Sequence, residues 1–398
     1  MIVQNYLYLM INDKSGPWVR LGAQGLMGIF CLQLGACSWR APQSPKASTR
    51  PVQGGVSFSD VVLAQTDVKG KLLWKFQAKG VTSGEGQQAA KAQSIKGQLY
   101  EAGKPVFDIE AEQGTVRQTT QQVSLKGKIQ VTDRKRRVVF RGREAEWNPQ
   151  SGQLVVRTGL MVTHPQLRLW ANELKASKQG QVIQVKGSVV METLASANSK
   201  NNQRFRLKAN QAVWNVAQQK FQAGTASGNG QQPTVQIEQL NPVGEKAVAL
   251  AGEANADLKG GVVTLRSPVR LTLGDVVLTS RELTWETLVG RISTRELLQL
   301  QDPRRQVTVL ANSGSVEQGR NLVDLQGKVE VTGLKDRARL TSDKLLWNTK
   351  TERIEALGNV NYVQASPAFT LRGPRAVGKM EDQTLRISGG DVVTEILP

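Results

Sequence analysis

Val123-Ser124-Leu125-Lys126-Gly127-Lys128-Ile129-Gln130-Val131-Thr132 decides how this chain is read. Apolar residues recur at every second position, polar residues fill the gaps, and one glycine sits in the middle. A period of two belongs to an extended strand, whose successive side chains point to opposite faces, so one face is buried and the other is wet. The pattern returns downstream. Aligning residues 122–148 with 322–348, without a gap at an offset of 200, leaves ten identities, from Val123, Leu125, Gly127 and Lys128 to Trp147 and Asn148. Shorter echoes lie between, with Gly187-Ser188-Val189 leading to Trp214-Asn215 and Ser267-Pro268-Val269 leading to Trp285-Glu286. The unit is a strand, a Gly at a turn or bulge, a second strand, a basic stretch, and a strand that ends in Trp. Units built of strands stack, each completing its neighbour's apolar face.

The alternation extends on both sides. Leu72, Trp74, Phe76 and Ala78 alternate with Lys71, Leu73, Lys75 and Gln77, and Phe205 and Leu207 alternate with Arg204, Arg206 and Lys208. Residues 280–300 come closest to a helical period, but Thr284, Trp285, Ile292 and Thr294 favour strands. An all-β fold is expected. The offset predicts a first domain over residues 56–193 and a second over 194–398.

The chain has 398 residues, 52 Lys and Arg against 33 Asp and Glu, and a formal charge of +19. One His and two Cys exclude zinc fingers, zincin helices and multi-disulfide frameworks, which need several ligands or bridges at fixed spacings. His164 precedes Pro165 and reads as a turn residue, not a triad base. Gly84-Glu85-Gly86-Gln87-Gln88-Ala89 fits a loose dinucleotide pattern without the surrounding parallel unit that would give it meaning. No phosphate-binding lysine loop occurs, so no cofactor is expected, no metal site, and no enzymatic activity.

Both cysteines lie near the start. Lys14 and Arg20 precede an uncharged run at 21–36, which Leu34-Gly35-Ala36-Cys37 closes. Residues 1–37 read as a secretory signal whose Cys37 is acylated, or as a short membrane-spanning anchor. Either reading puts the remainder outside the cytoplasm. Residues 38–55 are rich in Pro, Ser, Gln, Ala and Gly and form a flexible linker.

Gly70-Lys71-Leu72-Leu73-Trp74-Lys75-Phe76-Gln77-Ala78, then Ile109-Glu110-Ala111-Glu112, then Leu125-Lys126-Gly127-Lys128-Ile129-Gln130-Val131 resemble the LptC and OstA-like family of periplasmic lipopolysaccharide-export jellyrolls. The likeness is good over residues 56–192, returns over 323–388, and is weaker over 201–322. It implies tandem open β-jellyrolls stacked into an elongated, twisted β structure. It also implies a periplasmic protein, anchored to the inner membrane by an N-terminal lipid or helix. Such a protein would take lipopolysaccharide or a related glycolipid from an inner-membrane ABC transporter of the Lpt type. The glycolipid would then pass along an apolar groove toward the outer membrane, and an LptA-like jellyroll would join by strand addition. The usual family member has one jellyroll and a transmembrane helix; two copies and a lipobox-like Cys37 depart from that.

Candidate groove residues are Trp74, Phe76, Leu125, Ile129, Val131, Phe140 and Trp147 in the first copy and Leu325, Val329, Val331, Leu340 and Trp347 in the second. Ordinary sandwich core is the other reading of each, and Trp147, Trp214, Trp285 and Trp347 read as packing anchors at strand ends. Arg134-Lys135-Arg136-Arg137 is the densest basic run. It suits the phosphates of an anionic glycolipid or an anionic membrane surface, or is a solvated loop. Nucleic acid is disfavoured by the secretion signal and the lack of interleaved aromatics. From a different functional class, a secreted β-solenoid that binds or cleaves an acidic polysaccharide stays open, because Asp and Glu are spread along the repeats.

Overall fold

The computed structural model describes residues 7–11 and 55–396, apart from 85–88, 102, 118, 121, 149, 177–180, 195–203, 225–231, 241–245, 334–337, 366–367, 380–383 and 390–392. The signal or anchor features at Lys14, Arg20 and 21–37, and the linker up to residue 54, lie outside the described residues. So does the centre of the dinucleotide-like stretch. Among the described residues regular structure is strand, with a single 3-10 turn at Gln318–Arg320. The fold is all β, as the period of two predicts, and no described helix is long and apolar enough to cross a membrane. The chain divides into two compact units, residues 1–135 with 141–154, and 136–140 with 155–398.

The first unit is an antiparallel meander of β1 (Leu7–Ile11), β2 (Gly55–Thr66), β3 (Leu72–Gly84), β4 (Ala89–Glu101), β5 (Lys104–Arg117) and β6 (Val123–Asp133). Its apolar face is buried at Leu63, Trp74, Phe76, Leu99, Ile109, Leu125 and Ile129, the alternate positions of successive strands. The β5–β6 register slips between Glu110 and Gln113, opposite Gly127, whose φ is +94°. Extra residues in one strand bend it and increase its twist, and a left-handed residue at the bend favours glycine. The repeated glycine is therefore a bulge in the middle of a strand. β7 (Val138–Asn148) and β8 (Gln153–His164) are divided between the units.

The second unit continues with β9 (Leu167–Ala176), β10 (Val182–Thr193), β11 (Phe205–Asn215), β12 (Lys220–Gly224), β13 (Val235–Gln239), β14 (Ala247–Ala251), β15 (Glu253–Asp257), β16 (Val262–Leu273), β17 (Val276–Glu286) and β18 (Arg291–Thr294). After them come β19 (Leu298–Asp302), β20 (Val307–Ala311), β21 (Ser313–Glu317), β22 (Leu322–Gly333), β23 (Ala338–Asn348), β24 (Arg353–Ala365), β25 (Ala368–Lys379), β26 (Thr384–Ser388) and β27 (Val393–Ile396). All pairings are antiparallel, and the long strands slip register in mid-strand at Gly187-Ser188, Ser267-Pro268, Gly327-Lys328 and Gly358-Asn359.

Those bends split the long strands into halves with different neighbours. Residues 277–280 of β17 pair with β19 and residues 284–286 with β18; in β22, residues 330–333 pair with β20 and 322–326 with β21. In the same way β13 and β12 take opposite halves of β11, and β27 and β26 opposite halves of β25. Two rows of half-strands result, joined through the bends. The upper row holds β13, β14, β19, β20 and β27, and the lower row holds β12, β15, β18, β21 and β26. One apolar core takes Leu298, Leu300, Val309, Val329, Leu340 and Val360 from the upper row and Val323, Leu325, Leu345, Trp347, Ala356 and Ala376 from the lower. The two rows therefore face each other as the two walls of a jellyroll.

Candidate functional site

The interior between the rows is the place where the candidate residues of the second copy meet. Leu325, Val329, Leu340 and Trp347 are buried in the shared core, and Val331 is half-buried against it. In the first copy Trp74, Phe76, Leu125, Ile129, Val131 and Trp147 are buried in the first unit, and Phe140 is buried within the short 136–140 segment that belongs to the second. Trp74 and Phe76 stack with ring centroids 5.1 Å apart. Burial of this kind suits a packed core and an acyl-lined wall equally.

The repeated tryptophans stand at the penultimate position of their strands, next to a polar turn. The indole N–H groups of Trp147, Trp214, Trp285 and Trp347 are buried without a hydrogen-bond partner, whereas Trp74 donates to Gln65 Oε1 at 3.0 Å. Left without an acceptor, a buried donor costs about 1–3 kcal/mol.

A second feature was not visible in the sequence. In the second unit three lower-row tryptophans are each covered by a different side chain from the far end of the upper row. His164 meets Trp214 edge-on at 5.1 Å, Phe205 meets Trp285 edge-on at 5.1 Å, and the Arg305 guanidinium lies 5.8 Å from the centre of the Trp347 ring. The covering residues share neither type nor spacing, so only the tryptophans repeat in sequence. His164 also accepts a hydrogen bond from the Gln166 N–H at Nδ1, 3.2 Å, and burial pushes its pKa below the ordinary imidazole value.

Beside Trp347 a cleft of about 290 Å³ opens between the ends of the two rows. Leu273, Val276, Leu278, Leu300, Val316 and Val323 make its apolar wall, and Arg305, Gln318, Asn321 and Lys350 its polar rim. Arg305 donates to both carboxylate oxygens of Asp302, through its backbone N–H at 3.1 Å and Nη1 at 2.5 Å, and reaches Glu352 with Nη2. These carboxylates raise its pKa further, Glu352 most.

The basic run occupies the turn between β6 and β7. Arg134, Lys135 and Arg137 are exposed and Arg136 is half-buried. Arg134 pairs with Asp108 of β5, and Arg141 donates to Gln130 Oε1 at 3.1 Å. The run is thus partly neutralised by its own strands. No group of three or more His, Cys, Asp or Glu suited to a metal occurs among the described residues.

The family model described as Lipopolysaccharide-assembly, LptC-related matches residues 26–190 and 291–391, most of the chain. The chain belongs to this LptC-related family. The matched stretches contain both copies of the 27-residue repeat, 122–148 and 322–348, and pass over 191–290, where the described half-strands β12 to β15 belong to the same two rows. Among solved structures, the chain is similar to LptH, the LptA-homologous periplasmic component of the lipopolysaccharide transport device from Pseudomonas aeruginosa. The identity is 15%, the match covers 35% of this chain and 97% of that one, and the TM-score is 0.29. No curated protein matches. Membership of the LptC-related family assigns the protein to lipopolysaccharide assembly.

Proposed function

We propose that this LptC-related protein is a non-enzymatic carrier that holds lipopolysaccharide by its acyl chains in the jellyroll interior. It receives the glycolipid from an inner-membrane ABC transporter and passes it toward the outer membrane. The observation that supports this reading is the interior itself: two facing rows of half-strands share one apolar core from β19 to β25. Each methylene removed from water contributes about 0.8 kcal/mol, while sugars and phosphates stay hydrated outside. The basic turn at Arg134, Lys135, Arg136 and Arg137, exposed except for the half-buried Arg136, serves the anionic groups of the glycolipid or of the membrane. At the C-terminal end β26 and β27 pair on one side only among the described residues, with β25, and the free edges suit strand addition by an LptA-like jellyroll. Acylated Cys37, or a helix over 21–36, holds the chain at the inner membrane.

The test is photo-crosslinking to lipopolysaccharide from a benzoylphenylalanine at Ile129, which lies 3% exposed on the inner face of β6. Labelled glycolipid is expected, and its absence in a folded protein overturns the reading. Ile129→Asp places a carboxylate where acyl chains lie and is expected to abolish crosslinking. Lys128→Asp, on the exposed face, leaves it intact. Mass spectrometry of the membrane-bound form separates the anchors: a diacylglyceryl peptide starting at Cys37 supports acylation, and retained residues 1–36 support a helix.

A further inference from the structure

The cleft beside Trp347 joins an apolar lining to the basic side chains of Arg305 and Lys350. Its wall is apolar; Trp347 and Gln318 both line it, and the Trp347 N–H and Gln318 Oε1 are themselves buried without hydrogen-bond partners. Arg305, which lines the cleft, belongs to the turn that ends the upper row, and Glu352 to the turn that ends the lower row, so their ion pair ties the two rows beside Trp347. A ligand that suits this site has a hydrocarbon tail and an anionic group.

We propose that the cleft is an acyl-chain subsite of the second unit and that Arg305 is its latch. In the closed form Glu352 holds Arg305 over Trp347. A phosphate or carboxylate of an incoming acylated amphiphile takes the place of Glu352, and the mouth opens. Burial decides which of the two carboxylates gives way. The Asp302 side chain is 1% exposed and would be left as an unpaired buried charge, whereas Glu352 is 24% exposed and can be rehydrated. Arg305 therefore keeps Asp302 and exchanges Glu352. Lys350 on the same rim adds positive charge for the anionic group. At about 290 Å³ the cleft has the size of one chain and not of a whole glycolipid.

The inference rests on the carrier reading above, and its test separates the two. Benzoylphenylalanine is placed at Val276, on the cleft wall, in the full-length chain, and crosslinking to purified lipid A is compared with that from Ile129. Glu352→Gln releases the latch and is expected to raise the yield at Val276 severalfold. Arg305→Lys keeps the charge but loses the forked contact, and is expected to lower the yield about tenfold with an unchanged melting temperature. Equal yields in parent and both variants overturn the latch. Crosslinking from Ile129 with none from Val276 overturns the subsite while the carrier reading stands, and none from either position overturns both. Displacement of lipid A by inorganic phosphate as effective as by an acylated competitor reveals an anion site without an acyl chain, and also overturns the proposal.

Discussion

Trp74 donates its indole N–H to the buried Gln65 Oε1 at 3.0 Å, and Gln65 is the residue opposite it in the β2–β3 pair. Trp214 has no such acceptor. Trp→Phe substitution leaves a similar gap at both positions, but at Trp74 it also strands the Gln65 oxygen. Trp74→Phe is expected to cost about 1–3 kcal/mol more than Trp214→Phe in denaturant unfolding. Equal costs would show that the Gln65 bond contributes nothing net.

His164 is the sole histidine, so its titration can be read without interference from another imidazole. Burial against Trp214 lowers its pKa in the fold, and the unfolded chain retains the ordinary value of about 6.5. Below that pH the unfolded state binds more protons than the folded state. The stabilising contribution is therefore complete above about pH 6.5 and is lost as the pH falls toward the lowered folded value. The melting temperature should drop as the pH falls below about 6.5, and His164→Phe should flatten that fall. A profile unchanged by the substitution refutes the assignment.

The two partners of Arg305 differ in what they contribute. Asp302 is buried, so Arg305→Ala leaves an uncompensated interior carboxylate and is expected to cost about 3–5 kcal/mol. Glu352 is partly exposed, and Glu352→Gln should stay within about 1 kcal/mol. Chemical denaturation of both variants measures the contrast directly.

Gly127 sits at φ +94°, and a Cβ there would stand 2.4 Å from Glu112 Oε2 and 2.7 Å from Glu112 Cβ. Gly127→Val combines left-handed strain with that clash and is expected to destabilise the first unit by about 1–3 kcal/mol. Gly80, at an ordinary φ in β3, has nothing within 4 Å of such a Cβ, so Gly80→Ala is the tolerated control.

The all-β class was legible in the sequence because alternation is a local property. Leu125, Ile129 and Val131 had to share a face whatever lay opposite. The repeat showed equally well, since the Gly of Gly127-Lys128 and Gly327-Lys328 answers a backbone demand that few other residues meet. Membership of the LptC-related family rests on the same local patterns in the same order. The bends, the two rows and the covers on the tryptophans were decided by tertiary structure. Which half of β17 pairs with β18 and which with β19 depends on where a bulge turns the strand, and that is a matter of long-range register. His164, Phe205 and Arg305 come to equivalent places over Trp214, Trp285 and Trp347 from unequal distances along the chain. The chain segment that delivers each one differs, while the tryptophan it meets stands each time at the penultimate position of its strand.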